Sequence, residues 1–182
     1  MQISKLYWAL AAAAALSIAS TTGIGAERPA GANGMSAKDR QFITKAAQAG
    51  HAEVAAGKLA ASQASRDDVK KFGQQMVDDH GKANDELTKI AQAKGITPPA
   101  EPDAAHQRLT PRLQSAKAAE FDRLYVSEAG VKDHKAAVAL FTDEAKNGKD
   151  AELKAFAEKN LPTIKEHQKM AQDLARRAGK QR

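Results

Sequence analysis

The chain has 182 residues, with 28 Lys and Arg against 22 Asp and Glu, a net charge of +6 and no cysteine. Disulfides, thiol chemistry and a lipid-attachment cysteine are therefore excluded. Basic and acidic residues interleave at helical spacing, whereas a nucleic-acid site needs a Lys/Arg stripe with aromatic platforms, so no nucleic-acid partner is expected.

At the N-terminus, Lys5 precedes an apolar run from Leu6 to Ala19 and then small residues through Ala26. This is the pattern of a secretory signal peptide over residues 1–26. The run falls short of the roughly 20 apolar residues of a membrane span, so the mature protein is expected to have no transmembrane span. Removing Lys5 takes the charge from +6 to +5, and Tyr7 and Trp8 leave with it. The remaining aromatics are five Phe and Tyr125. A core of Ala, Leu and Val suits closely packed helices. Residues 27–35, rich in Gly, Ala and Pro, read as a flexible linker. Residues 36–178 read as one domain, and 179–182 as a basic tail. With Arg176 and Arg177, that tail is the chain's one basic cluster, suited to contact with an anionic envelope surface.

Helix one is predicted from Ser36, with Ser36 and Asp39 as a capping pair, to about Ala61. A second such pair, Ser65 and Asp68, is predicted to open helix two. Gly95 followed by Ile96 ends it, and Pro98-Pro99 prevent resumption. Asp103 caps a short helical piece through Leu109, and Thr110-Pro111 interrupts or restarts it. Helix three is expected from about Ser115 to Asn147. Asp150 caps helix four, which runs to about Ala178, with Pro162 inside it as a kink or bulge. Three connections are tight, while that between helices two and three spans about twenty residues. One long crossover marks a ferritin-like four-helix bundle, the predicted all-α fold.

A hairpin-sized segment is written twice. Phe72, His80 and Leu87 of helix two correspond to Phe156, His167 and Leu174 of helix four, with seven residues from His to Leu in both copies. Each His follows an acid: Asp79-His80 and Glu166-His167. At about 100° per residue, His80 lies near the centre of the stripe Val69, Phe72, Met76, Leu87, and His167 near that of Leu153, Phe156, Ile164, Leu174. On helix one, Glu53 is almost central between Phe42, Ala46 and Ala60. Glu53 and His80 agree in height along the bundle to about 4–5 Å at 1.5 Å per residue, and His167 falls near mid-bundle as well. On helix three, periodicity leaves Glu128, Asp133 and His134 as alternatives for the inward face. His51 is expected on a flank and His106 in solvent.

An ionisable group in an apolar stripe is costly unless paired, hydrogen-bonded or bound to metal. Two readings follow. Glu53, His80, His167 and one or two of Glu128, Asp133 and His134 hold one divalent ion, Zn, Mn or Fe. Alternatively the same groups form a buried network that fixes helix register, and the protein is an interaction module contacting another envelope protein. No Ser-His-Asp order, phosphate loop or His-Glu-x-x-His motif points to an enzyme.

The stretch Phe42–Leu59, the run Met76-Val77-Asp78-Asp79-His80-Gly81-Lys82-Ala83-Asn84 and Leu161-Pro162-Thr163-Ile164-Lys165-Glu166-His167 closely resemble the exported bacterial family called domain of unknown function 4142. The likeness covers about Ala37 to Leu174. It implies a ferritin-like fold and a periplasmic location, with outer-membrane association presumed for the family, and no settled activity. Di-iron members of the wider ferritin-like group carry Glu three residues before each His. Here Val77 and Ile164 stand there, which argues against a di-iron site.

Overall fold

The structure, a computed structural model, describes residues 34–180. The expected signal peptide, most of the linker and the last two tail residues lie outside them. The described residues form helices α1 (Ala37–Gln63), α2 (Asp67–Ala93), α3 (Ala104–Ser115), α4 (Ala118–Tyr125), α5 (His134–Asn147) and α6 (Ala151–Lys180), with a π-helical segment, Val126–Asp133, joining α4 to α5. Among the described residues there is no strand, and no helix is long and apolar enough to cross a membrane. The fold is an all-α bundle.

Local signals placed several helix ends correctly. The Asp39 N–H donates to Ser36 Oγ at 3.1 Å. Gly95, at φ 71°, ends α2, with its N–H on the Gln92 carbonyl and that of Ile96 on the Ala91 carbonyl, both at 2.9 Å. Asp103 Oδ1 caps α3 through Ala105 and His106, and Asp150 Oδ1 caps α6 through Glu152 and Leu153.

The start of α2 differs from expectation. Ser65 does not cap it. Asp122, from α4, accepts the Ser65 N–H (2.9 Å), the Ser65 hydroxyl (2.6 Å) and the Arg66 N–H (3.0 Å). A carboxylate 57 residues away satisfies the turn, which no local pattern encodes. Pro111 does not break α3, and the chain instead turns at Ala116–Lys117 before α4. The predicted third helix is thus three segments, and the crossover carries a full helix packed on α1.

The core has two storeys. One gathers Phe72, Met76, Phe121, Tyr125, Ala171 and Leu174, with Leu109 and Leu113 of α3. The other gathers Phe42, Ile43, Leu87, Phe141, Phe156 and Ile164. Chain order through them makes α1 and α6 run one way, and α2 and the α4–π–α5 rod the other. The crossover therefore climbs the bundle, because α2 ends at the storey opposite to that where α4 begins. The middle layer between the storeys is where the polar stripe residues fall.

Gly57 and Gly73 let α1 and α2 approach closely. A Cβ on Gly73 would stand 2.6 Å from the Ala60 Cβ and 2.8 Å from the Gly57 carbonyl oxygen. Helix propensity favours Ala over Gly by about 1 kcal/mol, yet Gly73→Ala is expected to destabilise by about 1–3 kcal/mol, because backbone must move. A thermal melt checks this; an unchanged or raised Tm contradicts the close approach.

Candidate metal centre

The π segment decides what reaches the middle layer. Nine residues separate Tyr125 from His134, and at 100° per residue these would face opposite sides of a regular helix. The wider i→i+5 turns take more residues per revolution and bring both inside: Tyr125 is 0% and His134 1% exposed. The widened turn also presents the Ala129 carbonyl to the His134 side chain five residues on, with Nδ1 to oxygen at 3.0 Å.

His80, His134 and His167 meet there. One nitrogen from each ring lies within 4.8 Å of the other two. The ring centroids form a near-equilateral triangle of 5.4, 5.5 and 5.5 Å. His80 Nε2 and His134 Nε2 are 3.4 Å apart. Two imidazole nitrogens on one cation at about 2.0–2.1 Å, in trigonal or tetrahedral geometry, stand about 3.3–3.6 Å apart. Closing the widest separation to that value takes about 1 Å of ring movement on the same bond lengths.

Two tautomers follow from the partners. A carbonyl only accepts, so His134 Nδ1 carries the proton toward Ala129 and Nε2 keeps its lone pair. His167 Nε2 lies 3.1 Å from Asp79 Oδ2, so it donates and leaves the lone pair on Nδ1. That Nδ1 is buried without a hydrogen-bond partner. Carboxylate or carbonyl support of the far nitrogen is the usual arrangement behind a metal-bound imidazole.

Burial favours the neutral form of all three rings. Burial lowers His80 to about 3, assisted by the neighbouring His134 and His167. Burial lowers His134 to about 4 against the opposing pull of the Ala129 carbonyl. His167 is also lowered, by burial, with Asp79 acting the other way. Neutral imidazole is the form that binds metal.

The other expected residues take different places. Glu53 is buried, but its Oε1 sits 3.5 Å from His134 Nδ1, the nitrogen on the far side from His80; its Oε2 has no partner. Burial and the charge of Asp133 raise its pKa well above the usual range. Glu128 does not converge: its carboxylate takes Lys132 at 3.0 Å on the outside of the rod. Asp133 turns toward the crossover, with Oδ2 3.4 Å from His106 Nε2. His106 is not in open solvent as expected. It is half-buried, and Asp103 holds its Nδ1 at 2.8 Å; Asp133 and Asp103 raise its pKa. His51 stands on α1 outside the cluster. The repeat did pair each His with an acid, but Asp79 serves the His of the other copy.

A cavity of about 40 Å³ opens against the triad, between α1, α2, α5 and α6.

The sequence profile of a family described as "Domain of unknown function (DUF4142)" matches residues 25–174. The chain belongs to the DUF4142 family. No curated protein matches it. In three dimensions this DUF4142 chain is similar to a solved structure described as "CopM in the Cu(II)-bound form", at a TM-score of 0.66 and 16% identity, over 76% of this chain and 96% of that one. The likeness is one of fold.

If the triad is a metal site, Asp79→Asn is expected to lower metal affinity about 10–100-fold by loosening the His167 tautomer. Equilibrium dialysis with Cu(II) or Zn(II) checks this. Unchanged affinity would mean that Asp79 plays no part in orienting the ring.

Proposed function

We propose that this is an exported bundle protein that binds one transition-metal ion through His80, His134 and His167, and serves metal handling in the cell envelope by binding rather than catalysis. The observation that carries the reading is the meeting of three neutral imidazoles from three separate rods. Three nitrogen donors without a carboxylate favour copper or zinc over manganese, which prefers oxygen ligands. The fold's likeness to a protein solved in a Cu(II)-bound form puts copper first among the ions to test. Ferritin-like ancestry and export belong to this proposal too, with Glu53 supporting His134 from behind.

A structural network is the second reading, favoured by the 3.4 Å His80–His134 contact, which also fits an N–H···N bond between neutral rings. Against it stand the buried, partnerless His167 Nδ1 and Glu53 Oε2, since a half-satisfied buried network costs more than an apolar layer. Metal content settles the choice between them. Wild-type protein is expected to take up one Cu(II) per chain in dialysis, and His80→Ala with His167→Ala to take up none. Equal uptake by both proteins would remove the metal reading.

A further inference from the structure

The triad supplies three donors, and a fourth position around a tetrahedral ion needs an occupant. None of the three carboxylates that line the cavity fills it. Asp133 Oδ2 lies 3.4 Å from His106 Nε2, toward the crossover. Asp79 is engaged by His167 Nε2, and Glu53 faces the far nitrogen of His134. The cavity beside the triad grades outward. His134, His167 and Glu53 are buried at its floor, Asn84 and Asn160 are half-buried, and Thr163 at its rim is exposed. Its mouth thus lies between α2 and α6, and its inner wall includes Leu87, Phe141, Phe156 and Ile164.

Size and charge define what fits. A cavity of about 40 Å³ exceeds the roughly 10–15 Å³ that one water requires, leaving room for two or three heavy atoms. Three neutral imidazoles leave a divalent ion's charge uncompensated by its direct ligands. Asp79 and Asp133 also line the cavity but are engaged by His167 and His106, and the remaining, mostly apolar wall gives that charge little solvation. An anion is therefore the better fourth ligand.

We propose that this cavity is a binding site for one small monoanion of two or three heavy atoms, which reaches a metal on the triad through the mouth between α2 and α6. The inference rests on the metal reading above and names the exogenous ligand of that same centre. Asn84 offers an amide along the path, and Gly50 makes space for it: a Cβ there would lie 1.9 Å from Asn84 Oδ1. The Asn160 amide, in contrast, already donates to the Phe156 carbonyl at 2.8 Å.

The test uses the full mature chain, loaded with Cu(II) and titrated with sodium azide, with copper content measured separately. The azide-to-copper charge-transfer band is expected to saturate at one azide per copper. Ala83→Leu, which fills the cavity, and Thr163→Phe, which covers the rim at an exposed position where folding is safe, are expected to keep copper and weaken azide at least tenfold. Copper bound with no azide band overturns the anion site while leaving the triad reading intact. Azide binding equally well to wild type and both variants places the ligand elsewhere and also overturns it. A protein that takes up no copper fails one step earlier, at the triad itself.

Discussion

If the triad binds copper as proposed, Cu(II) is expected to raise the Tm of the wild-type protein, and replacing His134 by glutamine to abolish that rise. At a free metal concentration 100 times Kd, binding adds about 2.7 kcal/mol to the folded state. For a domain of this size that raises Tm by about 5–10 °C. His134 is the best single position to test. It is 1% exposed, its tautomer is fixed by the Ala129 carbonyl, and its Nε2 faces His80. Glutamine retains bulk and a donor toward Ala129, so the metal-induced shift, rather than the starting Tm, reads the ligand role. His106→Gln is the control: His106 sits on the crossover between Asp103 and Asp133, and the metal shift should persist. A full shift in His134→Gln would exclude the triad as the site.

The sign of the acid response follows from the same geometry. Each triad His has a lowered folded pKa, so below the ordinary value of 6.5 the unfolded chain binds more protons than the folded one. The triad's contribution to metal-free stability is full above that value and is lost as pH falls through about 4 for His134 and about 3 for His80. Metal on the rings deepens this dependence, since protons then compete with the ion.

The second large effect lies at the far end of the bundle. Glu144 is 1% exposed, its carboxyl lies against the buried Asp39, and its pKa is raised to about 7 by burial and by the charge and hydrogen bond of Asp39. Lys38 opposes the shift and Asp143 adds to it. Because the folded pKa lies above the ordinary 4.5, the favourable contribution of the protonated form is full below 4.5 and is lost as pH rises through about 7. Glu144→Gln, which cannot ionise, should therefore be more stable than wild type at pH 8 by about 2 kcal/mol, after discounting for solvent relaxation. That corresponds to a Tm gain of about 4–8 °C. At pH 5 the two melts should nearly coincide. A difference independent of pH would show that the carboxyl charge is not what burial penalises here.

The sequence was legible where a signal is local. Ser36, Gly95, Asp103 and Asp150 cap through neighbours within a few residues, so spacing suffices to find them. His80 and His167 were legible because α2 and α6 keep a regular 3.6-residue repeat through the middle layer. Periodicity does not single out His134 from Glu128 and Asp133, because the π segment changes residues per turn midway along the rod and the phase carried from Phe121 no longer holds beyond it. Gly130 marks the spot only in hindsight: a Cβ there would meet Ala171 Cβ at 2.9 Å, where the segment lies against α6.

By itself the sequence determined that this protein is helical, with its apolar stripes, several of its caps and two imidazoles placed inside. Tertiary structure alone decided that the third imidazole is His134, that Glu128 stays outside, and that Asp79 serves His167 and Asp122 caps the start of α2. The physical reason is the same throughout. Periodicity reports which side of one helix a residue occupies, whereas a partner on another rod depends on helical phase and register, which only packing sets.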